Sequence, residues 1–277
     1  VIDMAAEVPD WVLLDGGANA RDVGGLPTED GGSTRSGALI RSANLQHLTP
    51  ADLDRLVIDL GVRCVVDLRT DVEVAAEGPG PITHLDDVTI HHLSLFPEAA
   101  HTADRIDPGP ESQQDDSRPD KLLPWHDRGR PPRVTGVPVA DLYLTYLEQR
   151  PDSVVSALRA IASAEGAVLV HCAAGKDRTG VVIALALALV GVRRSAIVRD
   201  YAATESQIGA IVALLSRTPT YQREVADPAA IPAPTAAVMT AVLTALDSND
   251  GGIAGWLGTH GWTAADTARL RSKLLSR

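Results

Sequence analysis

The run His171-Cys172-Ala173-Ala174-Gly175-Lys176-Asp177-Arg178-Thr179-Gly180 sets a cysteine and an arginine at the two ends of a short loop that contains a glycine. These residue types at this spacing suit phosphoryl transfer. A thiol attacks well only once ionised, and a helix N-terminus and nearby cations favour the anion. Arg178, six residues after Cys172, offers a planar fork for two equatorial phosphoryl oxygens as charge spreads over them in the transition state. The point charge of a lysine could not do the same. The loop backbone supplies the rest of the cradle, so Ala173, Ala174, Gly175, Lys176, Asp177, Arg178 and Thr179 are the expected phosphate-binding residues. The Thr179 hydroxyl is expected to donate to sulfur, and His171 to orient the loop through a backbone contact.

The leaving oxygen needs a proton, and the thiophosphate left behind needs an activated water; one carboxyl can serve both steps. Asp67 is the first candidate because it ends an apolar strand just before a loop, where parallel-sheet enzymes place catalytic groups. Asp177, inside the phosphate loop, is a rival. Cys64, within Val62-Arg63-Cys64-Val65-Val66, reads as a core residue rather than a second reactive thiol. Arg69 could add a cation at the mouth, while Arg21 and Arg41 could equally be scaffold residues held in salt bridges. Asp22 and Arg63 read as solvated or paired surface charges.

The elements that must position these groups follow from pattern. The β-branched run Ala167 to Val170 predicts a strand entering the loop, and Val181 to Val190 a buried helix leaving it. Thr49-Pro50 opens a helix through Leu60, Gly61 stops it, and a strand begins at Val62 and continues to Leu68. Val88 to Leu95 is a further strand candidate. Helical patterns occupy Val139 to Gln149, the stretch after Pro151, Ser195 to Ala203, Ser206 to Leu215, Thr235 to Leu246 and Thr263 to Leu275, with Trp256 and Trp262 anchoring the last. Residues 98–138, rich in proline and polar residues, are expected to form an irregular, mobile surface insertion. This α/β alternation predicts a mostly parallel central sheet flanked by helices, in a single catalytic domain over residues 1–277.

Composition narrows the partners. The formal net charge is −11, so no broad basic field exists to recruit nucleic acid or hold an anionic membrane surface, and phosphate attraction must be local. The longest apolar stretch is about half of the roughly 20 residues a membrane-spanning helix needs. Two cysteines make no disulfide framework, and a catalytic thiolate requires reduction. The N-terminal residues show no cationic start followed by an apolar core, so the expected location is cytoplasmic, or secreted without a visible signal peptide. The chemistry calls for no cofactor and no metal.

Cys-x5-Arg, with His171 before it and Thr179-Gly180 after it, resembles the active-site pattern of the cysteine-dependent protein tyrosine phosphatases, and the fuller run is similar to that of a bacterial branch with mycobacterial members. The likeness extends along the chain through Asn19-Ala20-Arg21-Asp22-Val23-Gly24-Gly25, Leu39-Ile40-Arg41-Ser42-Ala43 and Val66-Asp67-Leu68-Arg69, in that order. The resemblance implies the phosphatase fold, a cysteinyl-phosphate intermediate, the acid role for Asp67, and a helical lid at about 204–247 that lays Ile211, Leu214, Leu215, Val238 and Val242 over the mouth. It also draws attention to Trp125-His126-Asp127, similar to the family's Trp-Pro-Asp acid loop but with histidine for proline, which makes Asp127 a third candidate acid. Ala174-Gly175-Lys176 resembles the loop of phosphoinositide phosphatases. The implied substrates are a phosphotyrosine protein or small phosphomonoester, with phosphoserine, phosphothreonine or phosphoinositide beside it. The rivals are a dedicated phosphoinositide phosphatase, a catalytically inactive phosphoprotein-binding module and, more distantly, a sulfur-transfer enzyme.

Overall fold

The computed structural model describes residues 9–97 and 133–276. Six strands, β1 (Asp10–Trp11), β2 (Arg21–Asp22), β3 (Leu39–Ser42), β4 (Val62–Asp67), β5 (Thr89–His92) and β6 (Ala167–His171), form one sheet in the spatial order β1-β2-β3-β6-β4-β5. β3, β6, β4 and β5 run parallel, and β1 and β2 add an antiparallel edge. β6 lies between β3 and β4 with all five residues buried. Its lack of polar alternation follows from being covered on both faces.

The period-2 geometry of strands splits the apolar residues between two cores. Val66, Val168 and Val170 face one side, with Cys64; Val65, Ala167 and Leu169 face the other, with Ile40 and Val12. A bulge between Val62 and Cys64 puts these two residues on opposite faces despite their spacing.

The helices are α1 (Pro50–Asp54), α2 (Asp71–Glu77), α3 (Pro138–Gln149), α4 (Pro151–Ser163), α5 (Asp177–Leu189), α6 (Arg194–Ala203), α7 (Ile208–Leu215), α8 (Ala236–Asp247), α9 (Gly252–Thr259) and α10 (Ala264–Leu274). Local chemistry explains their starts. Thr49, Thr70 and Thr263 each form a capping box with an acidic residue three positions on, which satisfies orphan donors at both ends of the box. After α1 the chain winds on through a π turn at Arg55–Asp59 instead of the α-helix expected to Leu60. α5 is buried almost throughout, and no helix among the described residues is long and apolar enough to cross a membrane.

Three further expectations change on contact with the structure. The strand expected over Val88 to Leu95 shortens to Thr89–His92. Asp22 is buried rather than a surface charge: its carboxylate accepts from the amides of Gly24 at 2.9 Å and Gly37 at 2.5 Å, pinning two turns. Val238 and Val242 belong to the main core with Met239, Leu243 and Leu246, so α8 is a body helix. Residues 98–132 of the expected insertion, and Asp127 with them, lie outside the described residues. Trp262 is buried and donates to the Thr267 hydroxyl of α10 at 2.8 Å.

Candidate active site

Parallel pairing brings the carboxyl ends of three strands to one edge, with Ser42 and Asp67 both in register with His171. The loop 172–176 leaves from that edge and α5 begins at Asp177. Gly175 takes φ +64°, and a Cβ there would stand 2.3 Å from the Ser42 carbonyl oxygen. Only glycine meets both demands.

The loop carbonyls are tied outward. Asn19 Nδ2 donates to Ala174 O at 3.1 Å and Gly175 O at 3.0 Å, and Arg41 Nη2 donates to Gly175 O at 2.8 Å. A trans peptide points its N–H opposite to its C=O, so the amides of Gly175 and Lys176 turn the other way, as an anion cradle requires. Arg41 and Arg21 are themselves fixed on one carboxylate, with Arg41 Nη1 2.6 Å from Asp200 Oδ2 and Arg21 Nε 2.8 Å from Asp200 Oδ1. Both guanidinium groups are completely buried. Burial and the neighbouring Arg41 charge pull Arg21 down to about 10 against the pull of Asp200. Asn19, at φ +56°, holds a left-handed conformation that asparagine tolerates.

Cys172 and Arg178 line a cavity of about 300 Å³ together with Ala173, Ala174, Lys176 and Asp177. Arg178 is gripped from behind by Glu73, Nη1 to Oε2 at 2.6 Å and Nη2 to Oε1 at 2.8 Å, and Nη1 also donates to Leu68 O at 3.2 Å. Its guanidinium carbon lies 5.4 Å from the Phe96 ring centroid, a cation–π distance. Burial alone would raise the Glu73 carboxyl, but Arg178 and the Thr70 amide outweigh it and hold the group ionised. Glu73 is also the capping-box residue of α2, accepting from Thr70 N at 2.7 Å, and it accepts from the Tyr221 hydroxyl as well. The same carboxylate starts a helix and aims an arginine.

Asp67 and Asp177 stand in contrasting places. Asp67 lies off the cavity wall and is 5% exposed, with both oxygens taken by Arg69 at 2.7 to 3.1 Å. Burial pushes its pKa up, but His171 and the Arg69 fork win and hold the carboxyl well below the usual range. Arg69, which could have been a cation at the mouth, is thereby buried and paired inside. His171 Nδ1 lies 3.3 Å from Cys172 O, and burial lowers its pKa to about 4 despite the nearby Asp67. Asp177 lines the cavity, and the Tyr143 hydroxyl donates to its Oδ1. Lys176 Nζ donates to Pro232 O at 2.8 Å and stands 3.6 Å from Asp177 Oδ1. Thr179 Oγ1 is buried without a hydrogen-bond partner among the described residues, so the expected bond to sulfur is not made.

Apart from Glu224, the remaining wall is apolar or aromatic and comes from two directions. Phe96, Val139, Leu142 and Tyr146 stand on one side; Ile208, Ile211, Leu215, Tyr221, Val225, Ile231 and Pro232 stand on the other. Ile208, Ile211 and Leu215 of α7 thus contribute to this wall. Leu214 packs beside them. Glu73, Phe96, Tyr143, Asp200 and Tyr221 were missed as site residues. Thr70-x-x-Glu73 was legible as a capping box, yet nothing local linked it to Arg178, 105 residues away. Among the described residues, no group of three or more His, Cys, Asp or Glu is arranged to hold a metal ion.

A parallel sheet that delivers a cysteine, a turned-out loop and a glutamate-held arginine to one cavity defines an α/β phosphatase acting on phosphoric monoesters. The chain belongs to the tyrosine phosphatase family, whose sequence model matches residues 12–276. It is 33% identical over 217 residues to the triple specificity protein phosphatase PtpB of Mycobacterium tuberculosis, covering 73% of this chain and 72% of that protein. It is also 33% identical over 166 residues to a tyrosine-protein phosphatase of Nostoc commune, covering 60% of this chain and 47% of the relative.

Proposed function

We propose that this enzyme hydrolyses phosphotyrosine in proteins, and small aryl phosphates, through a cysteinyl-phosphate intermediate in a single catalytic domain. Cys172 Sγ attacks phosphorus in line, forming the S–P bond as the P–O bond to the leaving group breaks. Arg178 and the loop amides hold the non-bridging oxygens. Asp177 gives its proton to the leaving oxygen and then takes one from the water that attacks phosphorus and releases sulfur. The observation that carries this reading is the meeting of Cys172, Asp177 and Arg178 on the wall of one cavity. Asp177 is preferred to Asp67 because a carboxylate held ionised by an arginine fork has no proton to give.

The walls bear on the substrate. Phe96, Tyr146 and Tyr221 suit an aromatic ring, whereas Glu224 at the same cavity and the net charge of −11 oppose a polyanionic head group. Lys176 on the wall, together with the triple specificity of PtpB, favours a second, weaker activity on phosphoserine, phosphothreonine or phosphoinositides.

The test is hydrolysis of aryl phosphates of graded leaving-group pKa by wild type, Cys172→Ser, Asp67→Asn and Asp177→Asn. Cys172→Ser should be inactive. Asp177→Asn should lose about 10²- to 10⁴-fold with poor leaving groups and far less with good ones. If Asp67→Asn shows that dependence and Asp177→Asn does not, the acid assignment passes to Asp67. Turnover of a phosphotyrosine peptide beside an inositide head group ranks the substrates.

A further inference from the structure

Tyr143 is completely buried in α3, in the core behind the cavity. Its ring is fixed by stacking on Tyr146, centroids 5.8 Å apart at 23°, and by an edge contact with Tyr201, 6.2 Å apart at 80°. Its hydroxyl donates to Asp177 Oδ1 and meets the Tyr201 hydroxyl at 2.8 Å. One phenol has one proton. Since the Tyr143 proton goes to the carboxylate, the Tyr143 oxygen must accept from Tyr201, and the two hydroxyls form a directed chain from α6 through α3 to the first turn of α5.

The phosphate-loop motif has a residue that serves this chain. Gly180 packs against the Tyr201 ring, and a Cβ there would stand 3.0 Å from Tyr201 Cδ2. The final glycine of the motif thus admits the ring that supports Tyr143. Burial, with Asp177 and Tyr201 adding to it, keeps the Tyr143 phenol protonated far beyond neutral pH.

We propose that Tyr143, backed by Tyr201, is a positioning residue for the proton-transfer step: it pins Asp177 Oδ1 and thereby reserves Oδ2 to exchange the proton with the leaving oxygen and then with water. The inference rests on Asp177 as the acid. The hydrogen bond to Oδ1 survives both protonation states, because Oδ1 is the carbonyl oxygen when Oδ2 carries the proton. The carboxyl therefore keeps one rotamer through the cycle. Lys176, 3.6 Å from the same Oδ1, supplies charge without fixing direction, and Arg41 of β3 acts electrostatically on Tyr201.

The experiment compares Tyr143→Phe, Tyr201→Phe, Asp177→Asn and the Tyr143→Phe/Asp177→Asn double variant on phenyl phosphate and on p-nitrophenyl phosphate. Tyr143→Phe should lower kcat on phenyl phosphate about 10-fold with KM unchanged, and much less on p-nitrophenyl phosphate. Loss of a donor to the carboxylate disfavours its ionised form, so the basic limb of the pH–rate profile should move to higher pH. Tyr201→Phe should shift the same readouts less, and gives the same answer if Tyr143→Phe does not fold. In the double variant the Tyr143 change should cost nothing beyond Asp177→Asn, since the group it positions is gone. Equal losses on both substrates, or an undiminished loss in the Asp177→Asn background, would overturn the inference. An Asp177→Asn variant with no leaving-group dependence would overturn the acid assignment and this inference with it; a dependent Asp177→Asn beside an unaltered Tyr143→Phe would overturn the inference alone.

Discussion

Arg178 gives both terminal nitrogens to Glu73, and in the proposed mechanism this fixes which edge of the fork a phosphoryl group meets. The pair is buried at both ends, so removing one partner leaves an uncompensated charge away from water. Glu73→Gln keeps the shape and removes the charge. It should lower kcat about 10- to 100-fold through misdirection of Arg178, with Arg178→Lys costing about 10²- to 10³-fold because a fork becomes a point. Steady-state kinetics on one aryl phosphate, with phosphate inhibition as a measure of anion binding, checks both. Retention of wild-type kcat in Glu73→Gln would show that the arginine is aimed by something else.

At the scale of elements, α2 is a helix whose cap is part of the site. Thr70 accepts from Glu73 N at 3.1 Å while Glu73 returns the bond to Thr70 N. Loss of a threonine N-cap costs about 1 kcal/mol. Thr70→Ala should therefore lower stability by that order and, unlike the same change at Thr49 or Thr263, should lower kcat as well, because the lost bond is the one to the Glu73 backbone amide, and a loosened first turn of α2 shifts the carboxylate that holds Arg178. Chemical denaturation together with kinetics on the three cap variants separates these effects. The loop 172–176 carries the complementary constraint: Gly175→Ala combines a positive φ with a 2.3 Å approach to Ser42 O. It should destabilise by more than about 1 kcal/mol and weaken inhibition by vanadate.

Across the whole molecule, the buried row at the sheet edge makes stability depend on pH. His171 has its pKa lowered from 6.5 to about 4 by burial. Between those values the unfolded chain binds a proton that the folded chain does not, so stability falls as pH is lowered through this range, by on the order of 3 kcal/mol. Asp67, held ionised, loses its own contribution only at lower pH, as its carboxyl is finally protonated. Urea midpoints at pH 7 and pH 4.5 should differ strongly for wild type and much less for His171→Asn. Equal slopes for the two proteins would mean that other groups carry the acid sensitivity.

What the chain determined unaided is what depends on neighbours in sequence. A β-branched run, a glycine turn and a helix start lie within a few residues of each other, so the strand, loop and helix that carry Cys172 and Arg178 were readable from residue types and spacing. Most helices were legible for the same reason, and the Thr-x-x-acidic spacing of the capping boxes is a signal of the same local kind. Tertiary structure decided which direction each side chain faces and which distant groups meet. Asp67 was locatable at a strand end, but only the fold shows Arg69 folding back onto it two residues later. Val238 and Val242 have the same apolar character as Ile211 and Leu215, and packing alone sends the first pair to the core and the second to the cavity. Asp200 beneath the loop, Glu73 behind Arg178 and Tyr143 against Asp177 join positions 159, 105 and 34 residues apart. Such pairings arise from burying polar groups that must find partners once water is excluded, and that requirement acts through space rather than along the chain.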